Sequence, residues 1–337
     1  MTHILQSNTD FLALSRQQPD CLTPGQFTLS NGTVVSVIAA GIIQFEPAAT
    51  ATEDVVLSCG VHGNETAPIE ICDELVQRIL RGELTVCQRV LVIFGNLAAM
   101  DIGQRFVEEN MNRLFSGEHS RGPGLINDER RRAQRLEQAV AEFFQQGQGQ
   151  RHHYDLHTAI KPSQHEKFAV YPYRPHDDYN TESLRFLAAC DVHAILLSNG
   201  PTTTFSYYSA DTFDAIAFTV ELGKVRPFGE NDMSRFAAAK DAITRLVCEP
   251  QPNWPSYRAE DFSIYKVNQV ILRQQEDFRL GFGDDVPNFT AFQQGDVLAE
   301  ESGALYTAQQ DGEAIVFPNA KVALGQRAVL TLLPAEL

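Results

Sequence analysis

His62 and Glu65 lie three residues apart in the turn GVHGNE, which spans residues 60–65 and follows a short apolar strand predicted for residues 55–59. In open α/β sheets, ligands bind just beyond the carboxyl ends of the strands. At the entry to a helix, side chains three positions apart can face the same point. A histidine and a carboxylate placed in this way suit a catalytic zinc ion, which usually takes three protein ligands and leaves a fourth position to water.

His157 is the candidate for the third ligand. It lies in the stretch YDLHT (residues 154–158), at the end of another predicted strand. Asp155 is two positions earlier and therefore on the same face of that strand. We expect Asp155 to accept a hydrogen bond from the second ring nitrogen of a ligating histidine. A set of two histidines and one glutamate also accepts cobalt or manganese, so the ligand types alone leave the metal open.

Glu221 is the candidate for the base that such a site needs in order to take a proton from the attacking water. It directly follows the apolar run AIAFTV (residues 215–220) and precedes Leu222 and Gly223. A charged side chain therefore stands where a buried strand reaches the loops. A solvated glutamate at a strand end is the alternative.

Arg105, Asn112 and Arg113 follow a strand predicted for residues 90–94. An arginine can clamp a carboxylate through two hydrogen bonds, or stabilise the oxyanion that forms when a carbonyl is attacked. A denser basic run, Arg130 to Arg132 with Arg135, lies among glutamates on a helix predicted for residues 128–146, and we interpret it as a solvated helix face.

Strands and helices alternate through most of the chain, which predicts an α/β sheet with helices on both faces. The Asn31-Gly32 turn predicts an opening β-hairpin within residues 27–45. Three prolines in residues 249–256 indicate a boundary, after which the pattern contains strands and no convincing helix. We therefore predict a catalytic domain over residues 1–250 and a smaller β-rich domain over residues 257–337.

The composition excludes several classes of function. With 43 acidic against 27 basic residues, the net charge of −16 disfavours nucleic acid and membrane surfaces as partners. No apolar stretch is long enough to span a bilayer. Six cysteines without regular spacing favour reduced thiols, and together these features predict a cytoplasmic protein.

Taken together, the motifs resemble the succinylglutamate desuccinylase and aspartoacylase family of zinc carboxypeptidase-like hydrolases over nearly the whole chain. The matching stretches are GVHGNE (60–65), Arg105 with Asn112 and Arg113, DLHT (155–158), VELGKVRP (220–227) and FPN (317–319). The resemblance implies a carboxypeptidase-like mixed sheet flanked by helices.

The resemblance also implies roles for the site residues. One Zn²⁺ per subunit would be held by His62, Glu65 and His157, with Glu221 as general base and then acid. Arg105 would polarise the scissile carbonyl, and Asn112 with Arg113 would bind a substrate carboxylate.

The implied reaction is hydrolysis of N-succinyl-L-glutamate to succinate and L-glutamate, the last step of the arginine succinyltransferase route of arginine breakdown. Lys161, Lys224 and Arg226 are candidates for binding the succinyl carboxylate by position and charge only. An aspartoacylase-like deacylase with another acyl specificity is the nearest alternative, and a catalytically silent binding protein is a further one. The sequence leaves the oligomeric state open.

Overall fold

The computed structural model describes residues 4–175 and 179–337. The helices of these residues are α1 (Phe11–Gln17), α2 (Thr66–Leu80), α3 (Leu97–Asp101), α4 (Asp128–Gln146), α5 (Leu184–Ala189), α6 (Phe205–Phe213) and α7 (Ala237–Cys248). The strands are β1 (Gly25–Thr28), β2 (Val34–Ala39), β3 (Ile42–Glu46), β4 (Glu53–Cys59), β5 (Arg89–Phe94), β6 (Gln150–Ala159), β7 (Phe168–Tyr171), β8 (Ala194–Leu197), β9 (Ile216–Lys224), β10 (Ser263–Leu272), β11 (Arg279–Leu280), β12 (Ala291–Phe292), β13 (Val297–Glu301), β14 (Ala304–Thr307), β15 (Glu313–Val316) and β16 (Arg327–Pro334).

A large mixed sheet organises the molecule. Its strand order is β1-β2-β3-β5-β4-β6-β9-β7-β8-β10-β16-β15-β12, and a small second sheet has the order β11-β13-β14. Strands β5, β4, β6 and β9 are parallel neighbours, whereas β1, β2 and β3 pair antiparallel. The mixed α/β fold predicted from the sequence is thus confirmed.

Helices cover both faces of the sheet, as the alternating pattern predicts. On one face, α1, α2, α5 and α7 bury residues such as Phe11, Leu75 and Ile243 in one core. On the other face, α4 and α6 pack through residues such as Val140 and Phe205. The central strands carry apolar side chains towards both cores, which explains why their sequences are almost continuously hydrophobic.

Two local predictions need correction. The chain does not open on the hairpin: α1 precedes it, and its N-terminus is capped by the Asp10 side chain, which accepts a hydrogen bond from the N–H of Ala13. Strand β9 does not end before Glu221 but continues to Lys224. Glu221 is therefore a strand residue that pairs with its neighbours, rather than the first residue of a loop.

The C-terminal β-region continues the large sheet. β10 pairs in parallel with β8, and β16 then pairs antiparallel with β10. The division into domains at residues 250–257 remains a prediction, because the hydrogen bonding of the sheet runs on past it. Among the described residues, no helix is long and apolar enough to cross a membrane.

Candidate metal centre and active site

Three parallel strands bring the predicted site residues to one edge of the sheet. β4 leads into the turn that carries His62 and Glu65, and it pairs with β6 up to Cys59 opposite Leu156. One residue further along β6, His157 pairs directly with Glu221 of the neighbouring strand β9. The carboxyl ends of parallel strands meet at the same edge, so residues distant in sequence converge there.

Glycines shape the turn after β4. Gly60 has a φ of 64°, a left-handed conformation that favours glycine. A Cβ atom at Gly63 would lie 2.2 Å from the backbone of Ala99, so no other residue fits without displacing that backbone. Tight contact with neighbouring backbone fixes the path of the turn between His62 and Glu65.

His62, Glu65 and His157 form a buried group of side chains able to hold a metal ion, their ligand atoms lying within 4.8 Å of one another. His62 Nδ1 lies 2.9 Å from Glu65 Oε1, and His157 Nδ1 lies 2.8 Å from Glu65 Oε2. All three residues are about 2% exposed. Both histidines therefore present the same ring nitrogen to one carboxylate.

The second ring nitrogen of each histidine is held by an acceptor. His62 Nε2 lies 2.9 Å from Asn110 Oδ1, which also accepts the N–H of Asn112. His157 Nε2 lies 2.8 Å from Asp155 Oδ2. Because these oxygens can only accept, Nε2 of each ring carries the proton and Nδ1 keeps its lone pair in a neutral histidine.

This donor set fits a divalent metal ion. His62 Nδ1 is buried and makes no hydrogen bond with any described residue, although it lies close to Glu65. Two lone-pair nitrogens and one carboxylate are the ligand types of catalytic zinc sites, and the Asn110 and Asp155 contacts are the outer hydrogen bonds that such ligands require. Asn110, which the sequence analysis missed, belongs to the same loop as Asn112.

Electrostatics agree with this protonation pattern at His62 but not at His157. Burial alone would lower the pKa of His157, but the Asp155 and Glu65 carboxylates raise it well above its ordinary value, so a metal ion would have to replace a proton on that ring. Burial, assisted by the positive charge of Arg105, lowers the pKa of His62 to about 4, so its ring is neutral at pH 7. Burial alone would raise the pKa of Glu65, but His62, His157 and Arg105 hold it well below its usual range. Glu65 is thus an anion in a buried site, as a metal ligand must be.

Asp155 is anchored by a buried chain of hydrogen bonds. Ser58 donates from Oγ to Asp155 Oδ1 at 2.5 Å, and Ser58 Oγ lies 2.8 Å from His153 Nε2. His153 Nδ1 in turn lies 2.6 Å from Ser209 Oγ. The carboxylate that orients His157 is itself held by this chain across β4, β6 and α6.

Glu221 lines the same cavity as His62, Glu65 and His157, and one of its carboxylate oxygens has no hydrogen-bond partner among the described residues. Its side chain is 7% exposed, and the oxygen without a partner is the buried Oε2. Burial, and then the nearby negative charge of Glu65, raise its pKa to about 7. A carboxylate with a pKa near neutrality can both accept and return a proton.

The loop that carries Arg105 and Arg113 is held by Glu129 at the start of α4. The buried Glu129 carboxylate accepts hydrogen bonds from the N–H groups of residues 107, 108 and 109, and from Asn96 Nδ2. Arg130 is buried as well and is paired with Glu109. The interpretation of this helix face as solvated is wrong for Glu129 and Arg130, because both side chains turn inward to fix the loop. It is also wrong for Arg132, which donates to the carbonyls of Ala40, Phe94 and Gly95.

Arg105, Asn112 and Arg113 line one cavity of about 730 Å³ together with the metal-site residues. Arg105 donates from Nη1 to Glu65 Oε1 at 2.6 Å. Asn112 accepts the N–H of Phe205 on Oδ1, so the Nδ2 amino group is the part it offers to a ligand. Arg113 donates to the carbonyl of Asn112, and burial with the nearby charge of Arg327 lowers its pKa to about 9.

Of the further cations suggested by position in the sequence, the structure places only one in this cavity. Lys161 lines this cavity, but Lys224 and Arg226 line a neighbouring cavity of about 620 Å³. Residues of the C-terminal region, including Asn288 and Arg327, complete the wall instead. Only the FPN stretch at residues 317–319 signalled this region in the sequence.

Fold and site thus define an α/β protein with a candidate metal centre and a buried glutamate of raised pKa at the carboxyl edge of its sheet. Residues 51–247 match the family model of the succinylglutamate desuccinylase/aspartoacylase catalytic domain, and residues 260–335 match the AstE/AspA barrel-sandwich hybrid domain. The first match covers more than half of the chain, and the chain therefore belongs to the succinylglutamate desuccinylase/aspartoacylase family. The resemblance drawn from the sequence motifs is confirmed.

Individual relatives match along the whole chain. The chain is 52% identical to a succinylglutamate desuccinylase of Pseudoalteromonas atlantica, over 99% of this chain and 96% of the relative. It is 50% identical to that of Shewanella pealeana, over 98% and 97% respectively.

Solved structures agree. The succinylglutamate desuccinylase of Chromobacterium violaceum has a TM-score of 0.87 at 39% identity, covering 98% of this chain and 99% of that one. That of Vibrio parahaemolyticus has a TM-score of 0.89 at 35% identity, covering 98% and 96%.

Proposed function

We propose that this chain is a zinc-dependent amidohydrolase that cleaves N-succinyl-L-glutamate to succinate and L-glutamate. Full-length similarity to relatives of that name carries the proposal, and a complete set of reactive side chains in one cavity supports it. We further propose that it acts at the last step of the arginine succinyltransferase route of arginine breakdown, and in the cytoplasm, where its six free cysteines would stay reduced.

His62 Nδ1, His157 Nδ1 and the Glu65 carboxylate are the groups that would hold the zinc ion. When bound, zinc supplies a Lewis acid and lowers the pKa of bound water towards about 7. The protein's own part is to keep both rings in the required tautomer through Asn110 and Asp155.

Glu221 moves the proton. Its unpartnered Oε2 takes a proton from the attacking water, and the same carboxyl group then returns it to the amide nitrogen that leaves with glutamate. The pKa of about 7 suits both transfers, because neither protonation state is strongly favoured at neutral pH.

Arg105 and the Asn112-Arg113 pair handle negative charge. The Arg105 guanidinium lies at the metal-site end of the cavity, where it would donate to the oxyanion that forms on the attacked carbonyl. Asn112 Nδ2 and Arg113 would bind a substrate carboxylate. The substrate carries three carboxylates, and a protein of net charge −16 would on average repel it. The positive charges of Arg105 and Arg113 make the potential in the cavity favourable to this anion.

Side-by-side hydrolysis of N-succinyl-L-glutamate and N-acetyl-L-aspartate tests the substrate. We expect the succinyl compound to be cleaved with the higher kcat/KM. Faster cleavage of the acetyl compound would identify a deacylase of the aspartoacylase type instead, and cleavage of neither compound by zinc-loaded protein would favour the binding-protein alternative.

A further inference from the structure

Part of the cavity wall comes from the C-terminal region and carries polar groups that the proposed mechanism does not use. Asn288, Phe317 and Arg327 lie in this wall, and Arg113 lines the same cavity. Asn112 and Arg113 account for one of the three substrate carboxylates. Two more negatively charged groups then need partners.

Arg327 is a cation without an anionic partner. Among residues 4–175 and 179–337, neither Arg327 nor Arg113 forms an ion pair, since no carboxylate oxygen lies within 4.0 Å of their side-chain nitrogens. Arg327 Cζ instead lies 5.6 Å from the centre of the Phe317 ring. Burial lowers the pKa of Arg327 to about 10, so it remains charged at neutral pH. Arg113 and Arg327 are thus two half-buried cations that line one cavity and form no ion pair with the described residues, an arrangement that an anionic ligand would stabilise.

Asn288 provides a second, independent observation. Its side chain is 1% exposed, and its Nδ2 amino group is buried without a hydrogen-bond partner among the described residues. Its Oδ1 accepts the N–H of Phe317 at 2.8 Å, which fixes the amide so that the donor end is the free one. A buried donor left unpaired in a cavity wall is the feature expected of a ligand contact.

The position of Asn288 is rigid. Its N–H donates to the carbonyl of Pro162 at 2.8 Å, and its carbonyl accepts the N–H of Gln164 at 3.0 Å. Residues 162–164 follow β6, the strand that carries His157. The C-terminal region is thereby tied to the strand that leads out of the metal centre. Phe317 links the two residues, because its N–H donates to Asn288 Oδ1 and its ring lies near the Arg327 guanidinium.

We propose that Arg327 and Asn288 form a second carboxylate subsite, which binds either the succinyl carboxylate or the side-chain carboxylate of the glutamyl part. The inference rests on the proposed function, since the ligand is a carboxylate of that substrate. The guanidinium supplies charge and the Asn288 amide a fixed donor, so the C-terminal region sets specificity for an anionic substrate.

Kinetics with three substrates test the subsite. N-Butanoyl-L-glutamate lacks the succinyl carboxylate, and N-succinyl-L-glutamine lacks the charge on the glutamyl side chain. Arg327→Met should lower kcat/KM for N-succinyl-L-glutamate on the order of 10- to 100-fold, mainly through KM. For one of the two analogues, the variant should have nearly the same kcat/KM as the wild type, because that analogue lacks the carboxylate that Arg327 binds. The identity of this unaffected analogue shows which carboxylate occupies the subsite.

Two other variants sharpen the experiment. Asn288→Asp keeps the acceptor for the Phe317 N–H but replaces the free donor by an anion, and it should show the same substrate pattern as Arg327→Met. Arg279→Met is the matched control, because Arg279 lies in the same region, is exposed and pairs with Glu300 at the surface. Its kinetic constants should equal those of the wild type.

An equal loss for all three substrates in a variant with a wild-type thermal transition contradicts the subsite, as does wild-type KM in both variants. Asn288→Asp gives the same comparison where Arg327→Met fails to fold. If the wild-type enzyme hydrolyses none of the substrates, the proposed function fails. If it hydrolyses N-succinyl-L-glutamate and the variants match it, only the subsite fails.

Discussion

Asp155 and His157, two residues apart on β6, are joined by a hydrogen bond of 2.8 Å between Oδ2 and Nε2. The bond leaves His157 Nδ1 to face Glu65. The alternation of side chains along a strand sets both groups on one face, and the chain of Ser58, His153 and Ser209 behind Asp155 fixes the carboxylate.

Replacing Asp155 by asparagine should weaken zinc binding 10- to 100-fold, a typical effect of removing a carboxylate that orients a ligating histidine. An amide accepts less strongly and can present its amino group to the ring, which favours the wrong tautomer. Competition with a chromogenic chelator measures the affinity. Asp128→Asn, at an exposed position of α4, is the control, and wild-type affinity in Asp155→Asn would show that the contact does not position the ligand.

Glu221→Gln should lower kcat by about 10² to 10⁴, because the amide cannot accept the proton of the attacking water. Zinc content should stay at the wild-type level, since Glu221 lies outside the ligand group. Steady-state kinetics together with metal analysis separate the two effects. A variant with unchanged kcat excludes Glu221 as the base, and one that loses zinc reveals a ligand instead.

Arg105→Ala should lower kcat by about 10² to 10³, the usual consequence of removing a donor to an oxyanion. In this structure Arg105 also neutralises part of the Glu65 charge, so zinc content should be measured in the same sample. Arg121→Ala, at an exposed position, controls for the loss of one positive charge. If kcat is unchanged and only KM rises, Arg105 binds substrate without stabilising the transition state.

Much of the site could be predicted because it depends on strand ends. His62 and Glu65 follow β4, while Asp155, His157 and Glu221 lie in the carboxyl-terminal halves of β6 and β9, and parallel strands deliver their carboxyl ends to one place. Local periodicity also gave the bounds of α4 correctly.

Contacts between distant segments could not be predicted. Asn288 and Arg327 reach the cavity only because β10 joins β8 and residues 162–164 bind Asn288. Glu129 looks like a surface residue on its helix, yet it accepts backbone N–H groups of a loop about 20 residues away. Such pairings depend on tertiary packing, which leaves no local pattern in one sequence.

The buried His153 predicts a dependence of stability on pH. Burial lowers its pKa to about 4 from an ordinary value of 6.5, so between these values the unfolded chain binds a proton that the folded protein excludes. The free energy of unfolding should therefore fall as pH falls from about 6.5 to about 4, by up to roughly 3 kcal/mol from this residue. Urea unfolding across this range should show a shallower pH dependence in His153→Gln than in the wild type, and equal slopes would rule out this contribution.

Succinate release from N-succinyl-L-glutamate by the purified protein, followed before chelation, after chelation and after zinc is restored, tests the proposed function most directly. We expect turnover in the first sample, its loss on chelation and its return with zinc. Turnover that persists after complete removal of the metal would contradict the role of His62, Glu65 and His157 as zinc ligands, and no turnover by the zinc-loaded protein would contradict the reaction itself.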